Sequence, residues 1–228
     1  VIEGRKIFGN IMKYLAITTS SNFGNVFSVL VASAFLPFLP MQPLQILFLN
    51  LVYDISMSTV PWDKLDKEYI KKPRQWDAGK ISSFMLWFGP ISSIFDITTY
   101  ILMFFLVGPK VIGNSYLLLP ESLKLQFASL FQTGWFVESL WTQTMVVHML
   151  RTEKMPFIQS TASWPLMLFT SLGVTIGTII PFTSIGESLG FVPLPGIYFL
   201  FLMITLTAYL IVAQYVKVRF IHKFGSLL

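Results

Sequence analysis

The chain of 228 residues contains no cysteine. Disulfides and thiolate metal sites are therefore excluded. Histidine occurs only twice, which leaves a dedicated zinc site short of its usual ligands. Charge is scarce as well. Asp, Glu, Lys and Arg make up 12% of the chain, against about 25% in an ordinary soluble domain. A water-soluble globular protein is excluded on that ground.

What is present is apolar. Hydrophobic residues are 54% of the chain, phenylalanine alone occurs 22 times, and mean hydropathy is +0.68. This is the composition of an integral membrane protein, and the length suits about six helices with short loops. The expected fold class is an all-α transmembrane bundle of six helices. Its spans fall near 14–36, 44–61, 82–107, 125–148, 164–182 and 195–216. Proline or glycine marks nearly every exit, as at Pro37, Pro61 and Gly108-Pro109, where helices stop. Three regions follow: a stalk and helix pair over 1–61, a basic loop over 62–81, and a four-helix support over 82–228.

Residues 1–13 place Arg5, Lys6 and Lys13 among Ile2, Ile7, Phe8, Ile11 and Met12. That pattern fits a helical stalk below the first span. No signal peptide opens the chain, and VIEGRKIFGNIMKYL reads as the interior of a longer protein. No long repeat or inverted symmetry is evident, which weakens a secondary-transporter reading.

The net charge is +5. The basic residues flank apolar segments, so nucleic acid is not the expected partner; orientation and anionic lipid headgroups account for them better. Of the 16 Lys and Arg residues, only Lys110 and Lys124 lie on one side of the expected topology. The positive-inside rule therefore places both termini in the cytoplasm. Trp62, Trp76, Trp87, Trp164, Tyr14 and Tyr116 lie near expected interfaces, where an aromatic belt forms. The charged stretch DKLDKEYIKKPRQW is expected to stay solvated or to meet another domain.

Polar groups interrupt the apolar spans. Asn22 and Asn25 are three apart in the first, and Asn50 and Asp54 four apart in the second, so each pair shares a helix face. A lipid-facing Asp54 would cost about 3 kcal/mol at the bilayer centre. A short turn joins the two spans, which makes them antiparallel neighbours with both pairs near mid-membrane. Such a pocket of carboxamide and carboxylate oxygens suits a hard cation, magnesium in particular. Asn22, Ser21 and Ser28 read equally well as hydrogen-bonding glue between helices. Asp96 fits a hydrogen-bonded contact to a neighbouring helix, and Glu138 either a further ligand or a structural partner. His148 reads as interfacial, and Gly173 with Gly177 as a close helix contact.

The segments EGRKIFGNIMKYL, SSNFGN and LNLVYD resemble the fifth and sixth transmembrane helices of P-type ATPases. The wider pattern, with LPMQPLQILFLNLVYD, WDKLDKEYIKKPRQWD and QTGWFVESLWTQTMVVHMLRT, resembles the bacterial magnesium-transporting branch over essentially the whole chain, as helices five to ten. The resemblance implies that Asn22, Asn25, Asn50 and Asp54 hold the transported ion and that Glu138 matches a helix-eight acid. Asn25 stands where the calcium pumps carry glutamate, and Tyr53 where they carry threonine. Fewer charges fit one magnesium ion better than two calcium ions.

The chain has no DKTGT, TGES or nucleotide-binding lysine sequence. By the resemblance, ATP is used by the N-terminal remainder of the pump, which also supplies helix four. The implied function is the membrane part of an ATP-driven magnesium importer in a bacterial inner membrane, contributing half of the cation site. Open alternatives are a calcium- or proton-pumping relative and a stand-alone cation channel or carrier.

Overall fold

The computed structural model describes residues 1–71, 75 and 77–227. The basic stretch Lys72–Arg74 and the interfacial reading of Trp76 fall outside the described residues.

The chain folds into helices α1 (Ile2–Phe35), α2 (Pro43–Met57), α3 (Lys67–Lys71), α4 (Ala78–Leu102), α5 (Gly108–Ile112), α6 (Glu121–Leu150), α7 (Trp164–Ile179), α8 (Ser184–Ser188) and α9 (Gly196–Phe224). The stalk and first span form one unbroken helix, α1, because no proline or helix-breaking pair intervenes before Leu36-Pro37. Pro43 opens α2, where its missing N–H costs nothing, and Gln42 with Gln45 forms a reciprocal capping box. Asp77 caps α4 by accepting from the N–H groups of Gly79 and Lys80. Gly108 does not end the third span as the sequence suggests. A π-helical turn over Met103–Val107 carries the chain on into α5, and Gly113, at φ +101°, makes the stop.

Among the described residues, five helical stretches are long and apolar enough to cross a membrane: Ile2–Phe35, Pro43–Trp62, Ala78–Ile112, Trp164–Phe182 and Gly196–Phe224. Helix α6 has 30 residues but carries Gln132, Glu138, Gln143 and several threonines. Its low hydropathy has a physical reason. From Phe127 onward almost every residue is buried against neighbouring helices, so these polar side chains meet protein rather than lipid.

Helix α1 packs along α4, its most extensive partner, while α2 leans on α7 and α6. Helices α1 and α2 make few close backbone approaches, yet Ala16 and Ile17 of α1 share one core with Tyr53 and Met57 of α2. Glycine lets α1 and α4 pack closely. At Gly24 a Cβ would lie 2.9 Å from the carbonyl oxygen of Gly89, so the backbones of α1 and α4 approach as only glycines permit. Ser93 seals the crossing by donating to the Gly24 carbonyl at 3.0 Å. Helix α7 uses the same device. Gly173 lies under Val52 of α2, and Gly177 under Leu140 of α6.

Two apolar cores result. One, at the end of the bundle bearing both termini, gathers Ala16, Ile17, Tyr53, Phe84, Phe88 and Phe220. The other gathers Ala32, Met41, Tyr100, Phe131, Trp135 and Tyr198. Polar groups of α1, α4 and α6 collect at the seam between them.

Candidate cation site

The sequence-derived residues divide into two environments. Asn22 on α1, and Asn50 and Asp54 on α2, are exposed, although each lies midway along an apolar span. Among the described residues, none of their side chains has a hydrogen-bonding partner in the bundle. A carboxylate lying against hydrocarbon at that depth would be costly.

Asn25 lies one turn further along α1 and is half-buried. Its Oδ1 accepts a hydrogen bond from Gln143 Nε2 of α6 at 3.2 Å, and the same nitrogen donates to Ser139 Oγ at 3.0 Å. Glu138, the fifth candidate, is 1% exposed and belongs to the seam. It does not share the environment of Asn22, Asn50 and Asp54 but lies near Asp96. Neither Glu138 oxygen has a hydrogen-bonding partner among the described residues.

Asp96 is held by donors from two helices. Ser28 Oγ of α1 donates to Oδ2 at 2.5 Å, and Trp135 Nε1 of α6 to Oδ1 at 2.8 Å. It is a hydrogen-bonded contact between helices. His148, in the last turn of α6, is buried and lies 3.0 Å from Thr170 Oγ1 of α7.

The structure also reveals a polar hub that sequence reasoning missed. Asp63, in the loop after α2, was expected to be solvated but is 6% exposed. Its Oδ2 meets Lys13 Nζ at 2.8 Å and Arg151 Nε at 2.9 Å, and its Oδ1 accepts the Ser163 N–H at 3.0 Å. Burial pushes the Asp63 carboxyl up, but the Lys13 and Arg151 cations outweigh it and hold the group below the ordinary carboxylate range. Asn10 clasps the same loop through the carbonyls of Pro61 and Asp63. Buried Lys217 of α9 donates to the carbonyls of Met149, Thr152 and Lys154 at the C-terminal end of α6, where a cation also suits the helix dipole. The stalk, two loops and the last helix are thus tied at one end of the bundle. The only sequence signal was an acid beside basic residues in a chain with little charge to spare.

Residues 38–219 match the family described as "Cation transporting ATPase, C-terminus". The chain is 55% identical over 226 residues to the "Magnesium-transporting ATPase, P-type 1" of Salmonella typhimurium, covering 99% of this chain and 24% of that protein. It is 48% identical over 225 residues to the protein of the same name from Escherichia coli, with the same coverage on both sides. A "P-type sodium-transporting ATPase4" of Toxoplasma gondii is 34% identical over 79 residues, 33% of this chain and 6% of that protein. The chain spans about a quarter of the length of the magnesium-transporting relatives. With its all-helical, multi-pass architecture, this chain belongs to the P-type cation-transporting ATPase family, as part of the C-terminal membrane region.

Proposed function

We propose that the chain is the membrane portion of an ATP-driven magnesium importer of a bacterial inner membrane. It crosses the bilayer six times, α6 included, with both termini cytoplasmic. One observation carries this reading: Asn22, Asn50 and Asp54 stay exposed midway along the apolar helices α1 and α2. Such groups are expensive in lipid and useful in an ion path.

Magnesium, as cargo, favours oxygen ligands and keeps part of its water shell. A single carboxylate with three carboxamides fits one partly hydrated divalent ion better than two dehydrated ones. Asn22, Asn25, Asn50 and Asp54 are its ligands in this reading, with Glu138 a weaker one from the buried side. The stalk of α1 is the natural lever. Lys13 ties it to the loop after α2, so a displacement imposed below the membrane by the phosphorylated remainder of the pump shifts α1 and α2 together. The named relatives transport magnesium, and their similarity over nearly the whole chain supports the same cargo.

The test is magnesium uptake by cells expressing the full-length protein, wild type against Asp54→Asn. Expected is loss of most uptake with the protein still in the membrane. Uptake unchanged in concentration dependence and rate would remove Asp54 from the path.

A further inference from the structure

Gln143 lies on α6 beyond Glu138, and is not itself among the positions that the family resemblance assigns to the ion. Its side chain is 3% exposed. The one nitrogen that donates reaches both Asn25 Oδ1, across to α1, and Ser139 Oγ, one turn back on its own helix. Its Oε1 is buried and has no partner among the described residues. A buried amide left half-satisfied is a poor choice for simple helix packing, where leucine fills similar space without that penalty.

Asn25 is the residue to which this matters. Among the described residues, Asn22, Asn50 and Asp54 make no side-chain hydrogen bond that would fix their rotamers. Asn25 alone of the four is anchored, and it alone is half-buried. An oxygen accepting one hydrogen bond keeps a second lone pair. A tethered carboxamide can therefore still ligate a cation, with its orientation already set. Asn25 compensates for its missing charge only through geometry, and Gln143 supplies that geometry.

We propose that Gln143 is a positioning residue of the cation path, holding the Asn25 carboxamide in the orientation that meets the ion. The inference rests on the reading that Asn25 and Asp54 line that path.

The experiment measures the magnesium concentration giving half-maximal uptake by the full-length protein in cells. Gln143→Leu is expected to raise that concentration roughly three- to tenfold, the fold-change one buried hydrogen bond carries, with maximal rate little changed. Ser139→Ala, which spares the Asn25 bond, is expected to leave the concentration unchanged. Asn25→Ala produces a similar shift, and the Asn25→Ala/Gln143→Leu double variant adds nothing to the larger single effect. Should Gln143→Leu fail to accumulate, Gln143→Asn retracts the amide by one methylene and gives the same shift. Additive shifts, or an unchanged concentration in the Gln143 variants while Asn25→Ala and Asp54→Asn still act, would overturn the inference alone. No effect from Asn25→Ala or Asp54→Asn would instead overturn the site reading beneath it.

Discussion

Lys13 and Asp63 stand 50 positions apart in sequence and 2.8 Å apart in space. Arg151, a further 88 positions from Asp63, completes a buried triad on one carboxylate oxygen. The carboxylate faces two cations and a backbone N–H, so its removal strands both cations in the interior. Removing one partner of a buried ion pair costs about 3–5 kcal/mol, because the other is left uncompensated. Asp63→Ala is therefore expected to lower the melting temperature of the detergent-solubilised protein severely, while Lys13→Met, which leaves Arg151 paired, costs less. Equal effects would mean that the two cations do not share the carboxylate.

The same triad fixes a pH dependence. Folded Asp63 titrates below its unfolded value, so the unfolded chain binds the proton more readily in acid. The stabilisation is complete above the unfolded carboxylate value of about 3.9 and fades as pH falls through the lower folded value. Melting curves from about pH 6 down to about pH 3 should show a wild-type loss that Asp63→Asn lacks. Parallel curves for the two proteins would contradict it.

The crossing of α1 and α4 gives a prediction about size. A Cβ at Gly24 meets the backbone oxygen of Gly89 at 2.9 Å, whereas at Gly89 it meets Phe23 Cδ1 at 2.5 Å. A ring can turn aside and a backbone carbonyl cannot. Gly24→Ala should therefore cost more than Gly89→Ala, in the range of about 1–3 kcal/mol for an overpacked contact. Thermal unfolding of the two variants checks the order, and a larger effect at Gly89 would contradict it.

Asp96 carries a structural expectation. Asp96→Leu leaves Ser28 Oγ and Trp135 Nε1 buried without an acceptor, at about 1–3 kcal/mol for each orphaned group. The melting temperature should fall, and the magnesium dependence of the protein that remains folded should hold. A changed magnesium dependence with unchanged stability would assign Asp96 to the path.

Much of the fold was legible because hydropathy, proline and glycine act locally. The unbroken α1, the turn before α2 and the close contacts of Gly173 and Gly177 all follow from neighbours in sequence. The close crossing of α1 with α4 was not legible, because Gly24 and Gly89 are distant in the chain and meet only once the bundle forms. Nor was the Asp63 hub, whose partners are distant in the chain and lie among mixed charges that read as solvated. Within the candidate site, residue types at helical spacing revealed which side chains are unusual. They could not reveal that Asn25 turns toward Gln143 while Asn22, Asn50 and Asp54 remain exposed, since that depends on which helix α1 packs against.

The central claim, that the polar row on α1 and α2 lines a water-filled cation path, is tested most directly by thiol accessibility. The chain has no native cysteine, so labelling above the parent background reports the introduced site. Asn50→Cys and Leu51→Cys are both exposed positions on α2, one in the polar row and one apolar. In the full-length protein in membranes, a water-soluble thiol reagent is expected to label Asn50→Cys, more slowly when magnesium is present, and to leave Leu51→Cys unlabelled. Equal labelling at both positions, or none at Asn50→Cys, would contradict a cation path along this row.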